Sequence, residues 1–154
     1  MKVFTVSLFG HREIEDLRAL DDLLFPVVSE LIRAKEYVNF IIGRNGEFDE
    51  YAASVIKRAQ KTLGKENSEI TLVLPYAVAK MEYYEKYYDS FIIPENLCGV
   101  YPKSAIRLKN QWMVERSDLV IVYVERGAGG AYEAKKYADK LKKNIINIFE
   151  TKEI

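Results

Sequence analysis

Apolar residues along this chain fall into two kinds of pattern, short continuous runs and long series spaced by three and four, and the two kinds alternate. The run Val3-Phe-Thr-Val-Ser-Leu-Phe9 predicts a first strand ending at Gly10. Over 13–36, Leu17, Leu20, Leu23, Leu24, Val27, Val28, Leu31 and Ile32 recur at helical spacing, with Pro26 predicting a kink or break inside the helix. Val38-Asn-Phe-Ile-Ile42 predicts a second strand, closed by Gly43-Arg-Asn-Gly46. A helix over 48–63 follows, with Tyr51, Ala52, Val55, Ile56 and Ala59 inward and Gly64 as its stop. A third strand is expected over 70–74, a short helix over the tyrosine-rich stretch 78–88, and a small strand at 91–93 before an irregular loop over 94–102. The stretch 104–116 is expected to be helical, with Ile106, Met113 and Val114 inward. The nearly continuous run Asp118-Leu-Val-Ile-Val-Tyr-Val124 predicts a strand buried on both faces. It leads into the turn Glu125-Arg-Gly-Ala-Gly-Gly130, a helix over 131–143 and a last strand over 145–149.

Strands alternating with helices imply a three-layer α/β/α sandwich around a mainly parallel sheet, joined by right-handed crossovers. In such sheets ligands bind beyond the carboxyl ends of the strands, where the strand order reverses. Gly10-His11-Arg12, the 43–46 turn, Pro75-Tyr76, the loop around Tyr101 and the 125–130 turn are therefore expected along one edge.

Composition narrows the function classes. At 154 residues the chain is expected to be one domain over 1–150, with 151–154 a frayed tail. Lysine plus arginine and aspartate plus glutamate both number 23, so no whole-molecule basic field exists and nucleic acid is an unlikely partner, leaving only a local patch. Cys98 is alone, which excludes an internal disulfide framework and a cysteine-rich zinc site and points to a reducing, cytoplasmic setting. No apolar run approaches the roughly 18 residues of a membrane span, and the opening apolar stretch is too short for a secretory signal. HExxH, GxSxG and clustered Cys/His are absent, so zinc and serine hydrolases have no anchor, and no metal is expected.

Four elements carry candidate chemistry. In Gly10-His11-Arg12, the guanidinium suits phosphate or carboxylate and the only histidine offers a hydrogen bond or a proton; the alternative is a solvated loop. Gly43 and Gly46 allow close backbone approach, and Asp49 in the next helical turn is placed to accept from ribose hydroxyls, although a helix dipole favours an acid there without any ligand. Asn110 shares a face with Met113 and Val114, so its amide needs partners from the backbone or a ligand. Trp112 is expected to cover core, and Asp118, at the amino end of its strand, to be structural. The turn holding Gly127, Gly129 and Gly130 offers backbone N–H groups at a helix start, a natural phosphate seat. It matches neither GxGxxG nor the P-loop pattern. Glu133 and Glu125 beside it are the candidate acid/base carboxylates, or dipole-favoured surface residues. The eleven tyrosines include Tyr83, Tyr84, Tyr87 and Tyr88 in one cluster, suited to packing, to base stacking or to a subunit interface that would make a homodimer.

The order of these elements resembles the SLOG superfamily, in particular its small bacterial YpsA-like proteins. The resemblance runs over about 2–149 and is carried by the opening strand with Gly10-His11-Arg12, Gly43-x-x-Gly46-x-Phe48-Asp49, Asn110-x-Trp112-Met113, Ser117-Asp118 and Gly129-Gly130-Ala131. It implies a Rossmann-like sheet of five to six strands that binds or senses a nucleotide or nucleotide-derived ligand, with no cofactor specified. Relatives in the LOG branch cleave nucleoside monophosphates at the N-glycosidic bond, the alternative activity, using a PGGxGTxxE-like turn. Here Gly129-Gly130-Ala131-Tyr132-Glu133 keeps the paired glycines, lacks the Gly-Thr step and spaces its glutamate differently. Where relatives often carry Arg-Asn, this chain has Lys109-Asn110. The DprA core, a third branch, would imply association with DNA.

Overall fold

Strand β1 (Val3–Gly10) is central because its side chains are apolar on both faces: Val6 and Leu8 turn one way, Phe9 the other. The computed structural model describes residues 2–44, 46–79, 81–82 and 87–151. After β1 come α1 (Leu17–Ala34), β2 (Tyr37–Ile42), α2 (Glu47–Leu63) and β3 (Ser68–Val73). Then follow β4 (Ser90–Ile92), a 3₁₀ turn (Glu95–Leu97), α3 (Pro102–Arg116), β5 (Leu119–Tyr123), α4 (Gly130–Lys140), β6 (Asn144–Asn147) and α5 (Ile148–Thr151). The sheet order is β4-β3-β2-β1-β5-β6 and every pairing is parallel. This is the expected α/β Rossmann-like architecture, with six strands. The order reverses at β1, whose neighbours are β2 on one side and β5 on the other.

Two apolar layers hold the sandwich. One face of the sheet, with Leu8, Phe40, Ile42, Ile70, Leu72 and Ile121, packs on α1 and α2 through Leu20, Leu24, Phe48 and Ile56. The other, with Phe9, Ile41, Val120 and Val122, packs on α3 and α4 through Met113, Val114, Ala131 and Ala134. Among the described residues no helix is long and apolar enough to cross a membrane.

Several expected boundaries move, each for a local reason. Helix α1 starts at Leu17 instead of 13, because the Asp16 carboxylate accepts from the Ala19 N–H and caps it there. It runs through Pro26 without a break: Pro26 and Asp22, whose carbonyl loses a donor, both face solvent. Helix α4 covers Gly130–Lys140, short of the expected 143, because the Lys143 N–H turns back to the Ala138 carbonyl. Of the short helix expected over 78–88, Met81 and Glu82 are helical, while 80 and 83–86 lie outside the described residues; so do Tyr83 and Tyr84, and so does 152–154 of the expected tail. Asp118 is structural, as expected. Its carboxylate accepts from the Thr5 N–H at 2.8 Å and its own N–H donates to the Thr5 carbonyl at 2.8 Å.

The last strand ends at Asn147 and becomes a helical turn, where a strand to 149 was expected. The Asn147 side chain is the cause. Its Oδ1 accepts from the Val124 N–H at 3.1 Å and from the Phe149 N–H at 3.2 Å, while its Nδ2 donates to the Val124 carbonyl at 3.0 Å. The amide takes the place of the next strand residue and turns the chain. Asn147→Ala would leave the buried Val124 groups unpaired, and a loss of about 2–4 kcal/mol in chemical denaturation is expected.

Candidate ligand site at the β1–β5 crevice

Where β1 and β5 part at their carboxyl ends, a cavity of about 420 Å³ opens. Its walls come from distant parts of the chain: Gly10 to Glu13 after β1, Gly43 after β2, Asp49 on α2, Ile106, Lys109 and Asn110 on α3, and Arg126 with Ala128 to Ala131 at the start of α4. Of the five segments expected along this edge, three therefore meet in the cavity wall. The Pro75-Tyr76 segment and the loop around Tyr101 stand outside this lining, and Tyr101 is 83% exposed.

The glycines serve different ends. A Cβ on Gly10 would sit 2.0 Å from the Phe48 ring, so this glycine makes room for a core side chain. A Cβ on Gly46 would sit 2.4 Å from the Arg12 Cα, and Gly46 does not line the cavity. The close approach at Gly46 is of one loop on another. That packing is sealed by the Glu47 N–H donating to the Arg12 carbonyl at 2.9 Å and the Ile14 N–H donating to Glu47 Oε1 at 3.1 Å. Gly127 also lies outside the lining. Gly129 is the permissive one: its φ is +97°, and nothing stands within 4 Å of where a Cβ would be. It precedes α4, whose start has no side-chain cap, leaving the first N–H groups without intrahelical acceptors beside the cavity.

Four polar side chains are buried in the wall, His11 among them at 5% exposed. Lys109 is 1% exposed, Asp49 7% and Asn110 8%. Burial pushes the Lys109 ammonium down to about 8, against the pull of the Asp49 carboxylate. Asn110 Oδ1 is buried without a hydrogen-bond partner, an acceptor that asks for an O–H or N–H. Lys109 did not emerge as a site residue from the residues themselves. The signal was present, since it lies three residues after Ile106 and four before Met113 on the same helical face.

His11 lines the cavity and also joins two loops. Its Nε2 accepts from the Glu125 N–H at 3.0 Å, tying the β1 loop to the β5 loop. Burial foremost, and then the Arg126 charge, lower its proton affinity, with Glu125 opposing. The folded state therefore holds fewer protons than the unfolded chain below 6.5, and stability falls as pH drops through that range. This contribution should vanish from the pH-denaturation profile of His11→Gln.

The two carboxylates expected to do acid/base work lie off the cavity. Glu125 sits 3.7 Å from Arg126 Nη1, while Glu133 is exposed and borders a separate groove between α3 and α4. The carboxylates that do line the cavity are Glu13 and Asp49. Arg126, a second cation missed in the sequence, lines it too and reaches the Glu13 carbonyl at 3.5 Å. Among the described residues no cluster of His, Cys, Asp and Glu is arranged to hold a metal.

Neither a protein-family model nor a curated protein sequence matches the chain. Solved structures do. DNA processing protein A (DprA) from Streptococcus pneumoniae superposes with a TM-score of 0.66 at 14% identity, over 92% of this chain and 49% of that one. DNA processing protein A from Helicobacter pylori, described for its single-stranded DNA binding mode, gives 0.62 at 16% identity, over 92% and 63%. The molybdenum cofactor binding protein from Rippkaea orientalis gives 0.63 at 20% identity, over 96% and 77%. The fold is therefore of the Rossmann-like α/β type that these proteins share. The chain spans about half the length of the pneumococcal protein and under two thirds of the H. pylori one. The expectation against nucleic acid gains no support from this set, since one neighbour is described by the DNA it binds.

Proposed function

We propose that the crevice binds a nucleotide or nucleotide-derived small molecule through an anionic group. The carrying observation is the meeting of an uncapped helix start, a buried lysine and an unpartnered buried amide oxygen at one cavity. Phosphate would accept from the N–H groups opening α4, with Lys109 supplying charge. A sugar hydroxyl or base amino group would donate to Asn110 Oδ1. The cavity volume lies in the range of small-molecule sites. The cofactor bound by the Rippkaea neighbour belongs on the ligand panel, and so does single-stranded DNA. Calorimetric titration with nucleoside monophosphates, ADP-ribose, NAD, molybdenum cofactor and a DNA oligonucleotide tests the reading. Saturable one-to-one binding of a nucleotide supports it, and silence across the nucleotides from folded protein sinks it.

The N-glycosidic hydrolase reading loses Glu133 and Glu125 from the cavity wall, and Asp49 is the buried carboxylate left to it. No base release from AMP, dATP or NAD is expected by chromatography. Turnover that disappears in Asp49→Asn would make the site catalytic instead.

A further inference from the structure

Asn110 borders two hollows at once. Beyond the crevice, an open groove of about 830 Å³ runs between α3 and α4, and the two spaces share Ile106, Asn110 and Gly130. Ile106 and Ala134 give the groove an apolar surface able to take the face of a base or sugar. Four cations border it, among them Lys103, Arg107 and Lys140, against the single carboxylate of Glu133. In a chain with equal numbers of acids and bases, that imbalance makes a local positive strip. From Gly130 to Lys140 the strip follows α4 for about 15 Å. Asn110 stands where the two hollows join, its Nδ2 3.8 Å from where a Cβ on Gly130 would sit and its Oδ1 buried without a partner.

We infer that cavity and groove form one continuous site for a nucleotide elongated by a second anionic group, such as a dinucleotide. The first phosphate occupies the start of α4. A donor of the sugar or base meets Asn110 Oδ1, and the chain of the ligand crosses Ile106 into the groove. The second anionic group lies among Lys103, Arg107 and Lys140. This assignment rests on the nucleotide reading above and extends it from one phosphate to two.

The test is calorimetry at low ionic strength with AMP and with a 5′-phosphorylated adenosine dinucleotide. Both are titrated into the wild-type chain and into the double variant Arg107→Glu/Lys140→Glu, whose positions are exposed and outside the cavity. The dinucleotide should bind about tenfold tighter than AMP, as a few exposed charge contacts supply together. The double variant should lose that advantage and keep the AMP affinity. A dinucleotide no tighter than AMP, or an advantage that survives the charge reversal, overturns the inference and leaves the nucleotide reading standing. A concentration-dependent dimer that the same substitutions dissociate assigns the groove to a second copy of the chain and also overturns it. Failure of both ligands to bind removes the nucleotide reading and this extension together.

Discussion

Lys109→Met is expected to weaken binding of a nucleoside monophosphate by about 10- to 100-fold, the worth of one charged hydrogen bond of about 1.5–3 kcal/mol. Methionine fills much of the same space, so the 1%-exposed site stays packed and the loss reports the charge. The wild type carries a pH signature that the variant should lack. With Lys109 titrating at about 8 in the folded chain, affinity for an anion should fall as pH rises above that value, because binding must then take up the proton that the free protein has lost. Calorimetry in buffers of different ionisation enthalpy should then show proton uptake on binding near pH 8. Stability moves the other way. Between about 8 and the ordinary 10.5 the unfolded chain holds the proton that the folded chain has released, so denaturation should show stability rising with pH across that window. Lys109→Met should flatten this rise. A variant that binds AMP as the wild type does would remove Lys109 from the site.

Gly10→Ala is expected to destabilise the fold by about 1–3 kcal/mol, the cost of forcing one methyl into a filled core. The methyl would fall 2.0–2.5 Å from three atoms of Phe48, a fully buried side chain stacked at 6.4 Å on Tyr123. Phe48 has little freedom to retreat, because Tyr123 is in turn held by the edge of Phe149 at 5.5 Å. The displacement also reaches function, since Phe48 and the cavity-lining Asp49 share the first turn of α2. Equilibrium denaturation should show the loss, and ligand affinity should drop in the same protein. Unchanged stability would mean that the ring relaxes freely and that another residue could stand at position 10.

How legible the chain was depends on the kind of interaction each residue makes. The helices α1, α2 and α3 were visible because apolar residues recur at helical spacing, and the buried strands because each is a nearly continuous apolar run. Asn147 broke the expected last strand because its amide bonds to Val124, a partner just past the end of β5 that no local period encodes. Gly10 and Gly46 stood out as turn glycines, but their reasons, a Phe48 ring and the Arg12 backbone, are contacts across the fold. Glu133 and Glu125 looked well placed by nearness to the glycine turn. Along the helix, however, Glu133 emerges in the α3–α4 groove and outside the crevice itself, and Glu125 lies beside Arg126.

By itself the sequence determined the layers, the parallel sheet and the edge at which its loops gather, since burial of periodic apolar faces leaves few other arrangements for alternating strands and helices. It also determined that the turn before α4 would be rich in free backbone donors. Which polar groups line the crevice was set by how distant segments pack. Lys109 and Asn110 are buried where α3 meets loops from the first third of the chain, the wall shared with the basic groove forms where α3 meets α4, and the desolvation is a property of the assembled walls and of no single segment.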